Sequence, residues 1–150
     1  MATIRRFEDL KAWQKARKFA HSVFKLYQHE PFSKDYKLVN QINGSSGSVM
    51  DNIAEGFDRN GSKEFIQFLT IATASLSESK SQLYRALDRE YITVQVFEEI
   101  QSDASELGKI IGGLVKYLQN TDYKGTKFKV EEDEIKYSSG KKSENTSEQL

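Results

Sequence analysis

From Phe7 to Tyr27 the apolar and small positions fall at Leu10, Trp13, Ala16, Ala20, Val23, Phe24 and Tyr27. Their steps of three and four predict a first amphipathic helix. The segment QHEPFSKD interrupts it, because Pro31 biases Glu30 away from helical geometry and Ser33 or Asp35 is available to cap the next helix. A second run, Leu38, Val39, Ile42, Ser46, Val49, Ile53 and Phe57, keeps one face straight through the linker-like stretch NGSSGSVMDNIAEG, Asn43 to Gly56, and predicts helix there. Gly44, Ser48, Asp51 and Glu55 make a polar, mostly small stripe on the other side. Two interior glycines cost roughly 2 kcal/mol relative to alanine. About 80 Å² of extra apolar burial, at ~25 cal/mol per Å², offsets that. The alternative is a break at Asn43-Gly44 and a restart at Ser48 in a Ser-x-x-Asp capping box.

Gly56 to Gly61, GFDRNG, is a turn-rich joint, and Ser62 is the expected N-cap of a third helix. In that helix Phe65, Phe68, Leu69, Ala72, Leu76, Ser79, Leu83, Ala86 and Leu87 share a face to about Glu90. Its ~28 residues at 1.5 Å each span ~42 Å. YIT ends it, with Thr93 placed to cap a fourth helix. There Phe97, Ile100, Ala104, Leu107, Ile111, Leu114 and Leu118 form a coiled-coil-like seam, widened by Ile110, Val115 and Tyr117. After Asn120 the composition turns to Lys, Glu, Ser and Thr with little to bury. The predicted fold is all-α: an antiparallel up-down-up-down four-helix bundle over residues 1–120, followed by a disordered, mobile polar tail over 121–150.

Composition narrows the function classes. The 150 residues suffice for one core without disulfide or metal support. Twenty-two basic residues balance 22 acidic ones, so any polyanion must be met by a local patch rather than by the field of the whole molecule. The absence of cysteine removes disulfides and thiolate chemistry, and fits a reducing, cytoplasmic setting. No apolar run approaches the ~18 residues of a membrane span, and MATIRRFEDLKAW lacks the apolar stretch of a secretory leader, so no membrane partner is expected.

Candidate chemistry is sparse. The two histidines, His21 and His29, stand outside any Glu-x-x-His pattern, GSSGS lacks the lysine of a phosphate loop, and no serine has a base in context. The expectation is a protein that is no enzyme and needs no metal or cofactor. The first helix is more informative: Arg5 through Lys25 contribute seven basic residues against Glu8 and Asp9. Lys11, Lys15, Lys18 and Lys25 fall within about 80° of one another on a helical wheel, opposite Trp13, a stripe able to meet phosphates. A solvated outer face is the other reading of those lysines. Asn52, Glu55, Lys63 and Glu64 gather around the joint between the second and third helices, where a structural brace is expected.

Four motifs, FEDLKAWQKA, NIAEGF, KEFIQFL and SQLYRALD, give the chain a resemblance over about residues 5–119 to the ribosomal RNA intervening-sequence proteins. The chain is also similar to the related accessory protein of diversity-generating retroelements (the accessory variability determinant), a pentameric bundle that binds nucleic acid. The resemblance implies an antiparallel four-helix bundle, assembly into a homo-oligomer such as a pentamer, structured RNA or DNA as a partner, and no enzymatic activity. Trp13, Asn52, Glu55, Gly56, Lys63, Glu64 and Phe65 match the family's motif, with a structural role implied. Where relatives often read Gln-Ile-Arg-Arg, this chain reads Gln41-Ile42-Asn43-Gly44, which subtracts a basic pair from any phosphate-binding surface. The competing expectation is an oligomeric scaffold that holds a protein partner.

Overall fold

The repeating steps of three and four become four α-helices: α1, Lys11–Leu26; α2, Tyr36–Phe57; α3, Ser62–Asp88; and α4, Val94–Gln119. The computed structural model describes residues 3–121, so the expected tail, apart from Thr121, lies outside the described residues.

Each start has a local cause. α1 begins later than the periodicity predicts, because Phe7–Asp9 forms a 3-10 turn and Leu10 is extended at φ −77°, ψ 130°. That extended residue lets Leu10 turn into the core, where it is almost wholly buried, as is Ile4 before the turn. α2 is uninterrupted across Asn43-Gly44, and Asp35 caps it by accepting from the Leu38 N–H at 3.3 Å. Ser62 is not the cap of α3. Gly61 is, at φ 101°, a left-handed value open to glycine, so the chain turns there and Ser62 is already helical. Thr93 caps α4, its Oγ1 accepting from the Val96 N–H at 3.1 Å.

Contacts between helices give the topology. Gly56 lies against Phe65 and Phe68, Ser48 against Ser75, Ser45 against Ser79 and Gln82, and Gln41 against Arg85. The numbers fall along α2 as they rise along α3, so the two run antiparallel. Likewise Leu76 meets Gly108, Lys80 meets Gln101 and Ser105, and Tyr84 meets Phe97, which makes α3 and α4 antiparallel. On the other side Tyr27, just past α1, donates to Asn43, whereas Met50, further along α2, sits beside Gln14 and His21, earlier on α1. α1 also packs on α4, closing the ring of four.

The core seam of α4 is as the sequence predicts, Phe97 through Leu118; of the three residues expected to widen it, Ile110 is buried and Val115 and Tyr117 are half-buried. The buried face of α1 is turned from the expected one: Ala12, Ala16, Phe19 and Val23 face inward, Trp13 and Ala20 are half-buried, and Phe24 is 46% exposed. Aromatic and apolar residues flank both sides of this helix, so a three-four spacing fits two phases, and only packing selects one.

The α2–α3 seam is polar and small. Ser45 donates to Gln82 Oε1 at 2.6 Å and lies 2.7 Å from Ser79 Oγ, while Ser48 and Ser75 pair at 2.8 Å. Ser79 Oγ in turn lies 3.1 Å from the Ser75 carbonyl oxygen, to which it donates. Ser45, Ser75, Ser79 and Gln82 are all buried, and burial makes each of these bonds obligatory. At one end of the seam Gly56 brings α2 so close that an added Cβ would stand 2.6 Å from Phe68 Cβ. At the other end Asp35 Oδ2 accepts from Tyr91 Oη and from Arg89 Nη1, each at 2.7 Å, tying the start of α2 to the α3–α4 turn. Phe32 stacks on Tyr91 below it, ring centroids 4.9 Å apart.

Gly56→Ala should lower stability by about 1–3 kcal/mol, because Phe68 Cβ is fixed to backbone and cannot swing aside. Gly44→Ala should instead raise it by up to ~1 kcal/mol, since an added Cβ meets nothing within 4 Å in mid-helix. Urea unfolding of the two variants reads both signs.

The Tyr91 hydroxyl first, then the Leu38 N–H and the Arg89 guanidinium, hold the Asp35 carboxyl below the ordinary aspartate value, partly opposed by desolvation. The folded state therefore binds this proton less readily than the unfolded one. Its stabilisation is complete above the unfolded value of about 3.9 and is lost as pH falls through the lower folded value. Thermal unfolding across that acid range should show a steeper loss for the wild type than for Asp35→Asn.

Candidate nucleic-acid interface

α1 carries Lys11, Lys15, Arg17, Lys18 and Lys25 and no acidic residue. Wrapping that sequence around the observed buried face separates the four candidate lysines. Lys15 lies on the flank toward α4, one-third exposed, with its Nζ 3.8 Å from Glu106 Oε2. Lys11 is half-buried at the first helical position. Lys18 and Lys25 are exposed. The expected stripe is therefore a rim running from the α4 flank to the outside, rather than an outer face turned squarely away from the core. The Lys15–Glu106 pair marks which parts of α1 and α4 lie side by side, and in antiparallel helices that register puts Asp103 at about the level of Lys18. Glu99, Asp103 and Glu106 are all exposed on α4, so the rim borders negative charge.

Trp13 sits on the opposite flank of α1, half-buried, its ring edge-on to Phe7 at 5.2 Å. Arg17, one turn on, lies over that ring at 5.8 Å. This guanidinium was absent from the predicted set, although the four-residue spacing from Trp13 was a readable signal for it. Arg17, Lys18 and His21 line an open trough with Gln14, Ala20 and Met50. His21 stacks on Phe24 with centroids 6.1 Å apart.

The motif residues around the α2–α3 joint do not form one hub. Asn52 faces the seam, its Nδ2 donating to Ser48 O at 2.8 Å and to Ser48 Oγ at 2.9 Å. Glu55 is exposed and pairs with Arg59 at 2.8 Å, and Arg59 also lies over the Phe68 ring at 4.8 Å. Gly56 is the close-approach point described above, and Phe65 is fully buried, edge-on to Phe57 at 5.9 Å. Lys63 and Glu64 are exposed on the first turn of α3. Asn43 accepts from Tyr27 Oη at 3.0 Å and ties α1 to α2, while Gly44 beside it is exposed.

Sequence reasoning missed the buried polar set of Ser45, Ser75 and Gln82. Serine and glutamine in a helix read as outward residues, and only their partners across the seam turn them inward. Among the described residues no three histidine, cysteine, aspartate or glutamate side chains gather as around a metal ion, and no helix is long and apolar enough to cross a membrane.

These features define a class, an all-helical four-helix bundle with a polar inter-helix seam and a cationic first helix. The chain belongs to the 23S rRNA-intervening sequence protein family, whose model matches residues 8–113. It is also similar to a solved protein of unknown function from the S23 ribosomal protein family of Bacteroides thetaiotaomicron. The two are 28% identical with a TM-score of 0.64, over 70% of this chain and 98% of that one. No curated protein matches this chain.

Asn52→Ala removes both donations to Ser48 and should cost about 1 kcal/mol. Urea unfolding measures the loss, with helix content in circular dichroism unchanged.

Proposed function

We propose that this protein is a non-enzymatic, self-associating helical bundle that meets structured RNA or DNA with the outer side of α1. The observation that carries the reading is the five cations of α1 with no acidic residue among them. Arg17, Lys18 and Lys25 are the exposed members of that set and the ones a phosphate backbone reaches. The family's name, which couples it to an insertion in 23S rRNA, supports the choice of nucleic acid. Lys15, engaged with Glu106, contributes less, so the site is smaller than four lysines in a row would make it.

A second reading has its own observation. The outward positions of α3 from Gln67 to Ser81 include Thr70, Ile71, Ala74 and Ser77, nearly without charge, and Ile71 is 48% exposed. A face of that kind suits another protein surface better than a phosphate backbone. In this reading the lysines serve solubility and the bundle is a scaffold. Light scattering bears on self-association in both, and a strict monomer at micromolar concentration contradicts it.

Phosphate contacts release counterions, so binding to a labelled RNA hairpin should weaken steeply as salt rises. Lys18→Glu with Lys25→Glu should reduce affinity at low salt by roughly tenfold or more and flatten the salt slope by about two. Binding that ignores salt, or none at low ionic strength, sinks the nucleic-acid reading. Nuclease-resistant recovery of one protein at fixed stoichiometry then selects the scaffold.

A further inference from the structure

We propose that the acidic quartet Glu131-Glu132-Asp133-Glu134 of this same chain docks on the outer side of α1 and covers Arg17, Lys18 and Lys25. The consequence for nucleic acid rests on the reading of α1 given above; the contact itself does not.

Three observations select the occupant. The first is charge. The quartet is the longest unbroken acidic run in the sequence, and α1 is the helix without a single acidic residue. Lys18 and Lys25 form no ion pair with any described residue, and Arg17 rests on Trp13 rather than on a carboxylate. Four adjacent carboxylates present a density of negative charge comparable to that of a phosphate backbone, and so suit the same surface.

The second is where the described chain leaves the bundle. α4 ends at Gln119, and the Thr121 carbonyl lies 3.4 Å from Ser62 Oγ at the start of α3. α1 runs antiparallel to α4, so this is also the end of the bundle at which α1 begins. The chain leaves on the α3 side of α4, at the same end of the bundle as the start of the cationic helix.

The third is reach. Ten residue steps lead from Thr121 to Glu131, enough to span up to ~35 Å when extended. The 16 residues of α1 cover only ~24 Å. The arginines at the far end of α3 are poor rivals. They lie about the length of α4 away, ~39 Å, and are engaged, Arg85 by Gln41 and Arg89 by Asp35.

Carbodiimide coupling of the full chain at low salt tests the contact, because this reagent joins only carboxylates and amines already in touch. Peptide mapping should find amide links from residues 131–134 to Lys18 or Lys25. In a mixture of isotopically labelled and unlabelled protein they should lie within one chain, and molar salt should abolish them. Links to other lysines, links only between chains, or no links overturn the proposal.

Affinity for a labelled RNA hairpin supplies the second arm. A face covered about nine-tenths of the time weakens apparent binding about tenfold. Full chain with Glu131→Gln, Glu132→Gln, Asp133→Asn and Glu134→Gln together should therefore bind about tenfold tighter than wild type at low salt. Unchanged affinity in a chain that does bind RNA overturns the covering of the face. Mapped links in a chain that binds RNA in neither form uphold the docking and overturn the phosphate-facing reading of α1 instead.

Discussion

The rest of the bundle depends on how closely α2 approaches α3. Ser45, Ser48 and Gly56 on one helix meet Ser75, Ser79, Phe65 and Phe68 on the other, and the small members bring backbones together where leucines would hold them apart. Close approach buries hydroxyls, and burial obliges them to bond with one another. The result specifies register as well as proximity. A one-turn slip would set Ser45 and Ser48 against different neighbours and leave polar groups buried without partners. A seam of leucines penalises such a slip less. The Asp35, Arg89 and Tyr91 tie at one end and the Gly56 contact at the other hold the same alignment.

With that pair fixed, α1 and α4 are laid against it, and their charges come to lie side by side. α1 is wholly cationic among its ionised groups, and the first half of α4 carries Glu98, Glu99, Asp103 and Glu106 without a basic residue. A chain of zero net charge thus holds a separated pair of fields, partly joined where Lys15 reaches Glu106. Among the described residues, the outer side of α1 beyond that junction meets no compensating carboxylate. Partner choice for such a molecule is a matter of local surface and of ionic strength rather than of net charge.

The elements were largely legible. Leu38, Ile42, Val49, Ile53 and Phe57 kept helical phase across two glycines, and α2 is helical there because one face is buried along its whole length. Thr93 and Asp35 were readable as caps, since the physics of capping is local. The start of α3 was misplaced by one residue because a glycine at positive φ turned the chain before the serine could serve. The candidate surface was less legible. Lys11, Lys15, Lys18 and Lys25 share a stripe on an isolated helix, but Phe19 rather than Trp13 faces the core, and the rotation brings Lys15 toward α4.

By itself the sequence determined the number of helices, most of their limits, the seam of α4 and the acid-free character of α1, because periodicity, capping and charge content are properties of short segments. Only the tertiary structure decided the phase of α1, the inward turn of Ser45, Ser75 and Gln82, the tie of Asn43 to Tyr27, and which lysines remain exposed. Those depend on what stands opposite each residue across a helix boundary, where a polar group can be buried once a partner tens of residues away satisfies it.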